Sequence, residues 1–80
     1  MRWFCSPVFV RTDQPEGRYG VDHAQEAAEQ LLKWSKRGAR WHKAMRLCQA
    51  VQEGDRIDPQ IIRKAFEAAA KESEMLYPSE

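Results

Sequence analysis

WFCSPVFVRTDQPEGRYGVDHAQEAAEQLLKW, Trp3 to Trp34, changes its hydrophobic period partway along, and the fold follows from where the change falls. Its first part, Trp3–Val10, is rich in β-branched and aromatic residues and apolar on both alternating sets, broken only by Ser6 and Pro7. That pattern reads as a strand with both faces partly covered. Pro7 donates no backbone hydrogen bond, so it belongs at an edge, at a bulge or at the strand's start. TDQPEG, Thr12–Gly17, has loop composition, and Arg18–Val21 reads as a short returning strand. The two strands form a β-hairpin, which is marginal alone in water and must pack on something. At Asp22 the period becomes helical. Asp22 is placed as an N-cap with Gln25 as its capping-box partner. Ala24, Ala27, Ala28, Leu31 and Leu32 share one sector, with Trp34 at its edge, and Glu26, Glu29, Gln30 and Lys33 occupy the other side.

Working outward, this first helix spans about 23–35, and Gly38 marks the turn after it. A second helix, about 39–53, carries an apolar stripe of Trp41, Ala44, Met45, Cys48 and Val51 and ends at Gly54–Asp55. The third, about 59–73, has the clearest start: Asp58 as N-cap, Pro59 at the first helical position, and Ile57 and Ile62 spaced as a hydrophobic staple. Ile61, Ile62, Ala65, Phe66 and Ala69 are assigned to its buried face. EMLYPSE is expected to fray, with Met75 or Leu76 able to tuck back onto the core. The expectation is a single α+β domain: an N-terminal two-stranded hairpin and three amphipathic helices around one core.

With the elements in this order, the chain resembles a small bacterial family of unknown function, DUF982. The residues that carry the resemblance are Trp3, Pro7, Val8 and Val10, then Val21, Ala27, Ala28, Leu31, Leu32 and Trp34. Gly38, Ala44, Cys48, Ala50 and Gly54 continue it, and Arg63, Ala65, Phe66, Ala69, Ala70 and Glu72 complete it. Lys64 departs from the pattern, standing between Arg63 and Ala65 where the family often has Ala-Arg in sequence. The resemblance implies a fold and a bacterial cytoplasmic setting; it implies no activity.

Eighty residues with 42% hydrophobic and 31% charged content suit a small globular domain. No apolar run approaches the roughly 20 residues that span a bilayer, and the N-terminus reads as a strand and not as a signal peptide. Two cysteines, Cys5 and Cys48, fall in different elements, so a disulfide scaffold is not expected and a reducing cytoplasm is. A net charge of +1 gives no global field for polyanions. Charge is segregated locally, however: Lys33–Arg46 holds six of the thirteen Lys and Arg residues and no acid.

Candidate chemistry is sparse. His23 and His42 lie in no HxxxH or CxxC arrangement, so no metal is expected, and no cofactor motif or catalytic constellation is found. Cys48 reads as a small buried hydrophobe. RGAR around Gly38 precedes a helix whose N-terminus is able to hold an anion, with Arg37 and Arg40 nearby. Two surfaces remain. Trp3, Phe4, Val8, Phe9 and Val10 exceed what one hairpin face buries on three small helices, which points to self-association as a homodimer or to another protein partner. Lys36, Arg37, Arg40, Lys43 and Arg46 form the alternative, a polyanion contact for nucleic acid, although Trp34 and Trp41 fall on apolar faces and are poorly placed to stack on bases. The expected function is a small non-enzymatic interaction or regulatory module, with nucleic-acid binding as the alternative.

Overall fold

The structure, a computed structural model, describes residues 3–11 and 17–77, with side chains from Pro7 onward. Its order is β1 (Trp3–Arg11), β2 (Arg18–His23), α1 (Ala24–Lys33), α2 (Ala39–Gln52) and α3 (Pro59–Glu72). The strands pair antiparallel as a hairpin and the helices follow, so the domain is α+β. Trp3 and Val8 are five positions apart on β1, whereas their partners His23 and Val21 are two apart, so the ladder is irregular between them. Pro7 falls inside that irregular stretch, where its missing N–H breaks no regular ladder. Residues 12–16, expected as a loop, and the side chains of Trp3, Phe4 and Cys5 lie outside the described residues.

β2 continues two residues past its expected end and takes in Asp22 and His23. The cap of α1 moves with it: His23 is the N-cap, and its Nδ1 accepts from the Glu26 N–H at 3.4 Å. Pairing of His23 with Trp3 holds this backbone extended, and the helix starts one residue after the expected position. Trp34 and Ser35 fall outside α1, which ends at Lys33 with Trp34 in an extended conformation. Trp34 nevertheless reaches the core and stacks on Phe66, centroids 5.5 Å apart.

Val8, Val10 and Val21 from the hairpin meet Ala27, Leu31, Trp41, Ala44, Cys48, Phe66 and Ala70 in one core. Two residues assigned to it do not enter: Leu32 is 61% exposed and Ile61 53%. Both sit at the margin of their helical sectors. The small alanine-rich core covers only the centre of each sector, and Trp34 reaches the core from beyond the end of α1.

α2 and α3 end alike. Asp55 N–H donates to the Ala50 carbonyl and Gly54 N–H to Val51, with Gly54 at φ 106°, and Met75 N–H donates to Ala70 and Glu74 N–H to Lys71, with Glu74 at φ 59°. These are Schellman motifs, the first with the expected glycine, the second with a glutamate in the left-handed region. The second redirects the chain. Residues 75–77, expected to fray, return along β1: Arg11 N–H donates to the Met75 carbonyl at 2.7 Å and Tyr77 N–H to that of Phe9 at 3.0 Å. Met75 and Leu76 pack on the core, as the apolar pattern allows. Residues 75–77 thus cover part of β1 from within the same chain.

Phe66 is fully buried and Leu32 is not, so equal truncations should differ sharply. Phe66→Ala is expected to cost about 3–5 kcal/mol and Leu32→Ala no more than about 0.5 kcal/mol in chemical denaturation.

Candidate functional site

The connection between α1 and α2, residues 34–38, and the helix ends that flank it hold a cluster of polar contacts. α1 leaves its last carbonyls without helical partners. Trp41 Nε1 donates to the Leu31 carbonyl at 2.7 Å in a buried hydrogen bond. Arg37 takes two more, Nε donating to the Trp34 carbonyl and Nη2 to that of Leu32, each at 3.0 Å. Its guanidinium also lies 4.7 Å from the Trp41 ring centroid, a cation–π contact.

At the start of α2 the opposite need arises. Gly38 is the N-cap and has no side chain to offer, and the first turn holds no acid. Glu72, at the end of α3, supplies the acceptor: its Oε1 lies 3.2 Å from the Arg40 amide and 3.4 Å from the Trp41 amide. A carboxylate at this pole satisfies orphan N–H donors and complements the helix dipole. Gly38 makes room for it, because a Cβ there would stand 2.5 Å from Glu72 Oε1. Ser73, the next residue, is buried and donates its hydroxyl to the Lys36 carbonyl at 2.9 Å. The helix N-terminus that the sequence offers to an external anion is occupied by the protein's own carboxylate.

The five cations read as a polyanion contact are therefore not equivalent. All are exposed, but the Arg37 guanidinium caps α1 and covers Trp41. Arg40 lies by Ala68, Lys71 and Glu72. Arg46 borders a shallow groove of about 560 Å³ with Leu32, Trp41, His42, Met45 and Gln49. Leu32 was assigned to the core, so this groove had no signal in the helical pattern; only its place at the sector margin hints at it.

Of the five hairpin residues expected at a surface, Val8, Phe9 and Val10 have described side chains. Val8 and Val10 are buried in the chain's own core and offer nothing to a partner. Phe9 is 38% exposed, lies against Gly20, and has the Arg18 guanidinium 5.0 Å from its centroid.

One cluster escaped the sequence reading. Asp22, His23 and Glu26 bring ligand-type atoms within 4.8 Å of one another. The D-H-x-x-E spacing across a strand–helix junction was the available signal. The geometry suits capping better than metal binding. His23 Nδ1 accepts from the Glu26 N–H, which places the proton of the neutral ring on Nε2, 3.1 Å from Glu26 Oε1. Glu26 Oε2 accepts from the Tyr19 hydroxyl. A cation at Nε2 would displace that proton and break the reciprocal cap.

Cys48 is wholly buried, and burial pushes its thiol up from 9.0 to about 12. It is therefore a packed apolar group and a poor nucleophile, in agreement with its reading as a core residue.

This is a small α+β domain with a helix corner capped from within the chain. The chain belongs to DUF982, a family of proteins of unknown function, whose family model matches residues 6–77. No curated protein and no solved structure matches it.

Two predictions follow from this geometry. Glu72→Ala should cost about 0.5–2 kcal/mol, the range for a lost cap. Gly38→Ala should cost a similar amount by displacing the carboxylate, yet within about 0.5 kcal/mol of nothing in the Glu72→Ala background, as coupled sites require. A double-mutant denaturation cycle reads this. For Cys48 the folded pKa is raised, so its contribution is whole below pH 9.0 and is lost as pH rises toward about 12. Cys48→Ala should be the less stable protein at neutral pH, with its deficit shrinking over that window in pH-dependent melts.

Proposed function

We propose that this domain is a small non-enzymatic interaction or regulatory module, working through the exposed surface at the α1–α2 corner in a bacterial cytoplasm. The observation that carries the reading is Leu32: a large apolar side chain, 61% exposed, beside a groove bordered by Arg46. Leu32 is not alone there: with Trp41 and Met45 it gives the groove an apolar lining beside the polar groups of His42, Arg46 and Gln49, the mixed composition of a binding site. Among the described residues no helix is long and apolar enough to cross a membrane.

Nucleic-acid binding is the alternative, and the exposure of Lys36, Arg40, Lys43 and Arg46 favours it. Against it stand the burial of Trp34 and Trp41 and the internal engagement of Arg37. Of the residues read as a self-association surface, Val8 and Val10 are buried and Phe9 is exposed, while the side chains of Trp3 and Phe4 lie outside the described residues.

In-cell photo-crosslinking separates these readings. A photoreactive residue at position 32 should give discrete protein adducts, and one at position 64, on the exposed side of α3, should not. Nuclease-sensitive adducts at position 32 would favour the nucleic-acid alternative. Adducts of dimer mass from position 9, with none from position 32, would replace the corner by the hairpin.

A further inference from the structure

We infer that the groove between α1 and α2 receives an acidic segment of another protein, anchored by one large apolar side chain. This rests on the corner reading above and names the chemistry of its partner. The groove is lined by Leu32, Trp41, His42, Met45, Arg46 and Gln49. Its apolar lining comes from Leu32, which is exposed, and from the edges of Trp41 and Met45, which are otherwise buried. That part of the lining desolvates an apolar side chain, while Arg46, His42 and Gln49 supply the polar contacts.

Charge complementarity fixes the sign of the partner. No acid lines the groove, and the stretch Lys33–Arg46 from which most of its lining comes holds six cations without one carboxylate. Arg46 is exposed at the groove and its fork matches a carboxylate bidentately. His42 is exposed beside it and offers a ring N–H to the same carboxylate. Glu29 and Glu53 are not among the lining residues, but each stands one helical turn from one, Glu29 from Leu32 and Glu53 from Gln49, and blunts the field at the two ends of the groove.

The second feature that favours a peptide is what has already been filled. The N-terminus of α2, the natural phosphate position, holds Glu72, and the Trp41 face that a base would stack on lies under Arg37. What stays open is an apolar notch with Arg46 at its border. That combination selects acidic residues around an apolar anchor.

The test is affinity selection of a random peptide library displayed on phage, with the whole chain as bait and Leu32→Asp and Arg46→Glu chains as counter-baits. Both substitutions are at exposed positions, and melting curves establish that the variants fold. Enriched peptides should carry net negative charge and one Leu, Phe or Trp. Each should bind the unmodified chain at least about tenfold more tightly than either variant, a difference of about 1.4 kcal/mol. Affinity should fall as salt rises. Enrichment of neutral or basic peptides, or of peptides that bind the Leu32→Asp chain equally well, overturns the acidic-segment inference. No enrichment together with salt-sensitive binding of a 20-nucleotide single-stranded DNA, about 20 being long enough to cross a small domain, also overturns it, but leaves the corner as a binding surface. Failure of both peptide and oligonucleotide to bind removes the inference and the corner reading together.

Discussion

The carboxylate of Glu72 on the N-terminus of α2 is the contact around which the helical layer is organised. α2 begins with a glycine and has no acid of its own in its first turn, so its orphan amides need a partner from elsewhere. Meeting that need fixes the end of α3 against the start of α2. Ser73 then binds the Lys36 carbonyl, and Trp41 and Arg37 reach back to cap α1. All three helices are thus tied at one corner by polar contacts whose geometry is directional. The apolar core, rich in alanine, supplies burial but little directional information.

The same arrangement determines what the surface offers. A cation-rich helix corner with a free N-terminus would be a site for small anions. Here the pole is neutralised internally, and the cation closest to the buried tryptophan serves as a cap. The remaining cations face solvent, and the apolar feature among them is Leu32. The corner therefore differs in kind from a phosphate cradle, although its sequence composition is the same.

How much of this was legible in the sequence depends on whether the determinant was local. Helix starts marked by neighbouring residues were readable: Asp58 binds the Gln60 amide, and Pro59 follows it. The start of α1 was misplaced by one residue because strand pairing, a contact with Trp3, held Asp22 and His23 extended. Leu32 and Ile61 were assigned inward because periodicity gives a direction but not the width of core that a small domain can supply. Both members of the Gly38–Glu72 contact stood among the residues that carry the family resemblance. Their meeting was invisible, since nothing in either helix alone indicates that a glutamate closing one will cap another. The return of residues 75–77 to β1 was hidden for the same reason, depending on a left-handed Glu74 that propensity disfavours.

The central claim is that Glu72 satisfies the first amides of α2, and residue-resolved amide hydrogen exchange tests it most directly. The amides of Arg40 and Trp41 lie in the first turn, where no intrahelical acceptor is available, and they would exchange fast if left to solvent. They should be protected in the unmodified chain and lose that protection in Glu72→Ala, while amides in the middle of α2 keep theirs. Fast exchange at Arg40 and Trp41 in the unmodified chain, or protection that survives the loss of Glu72, would contradict the account.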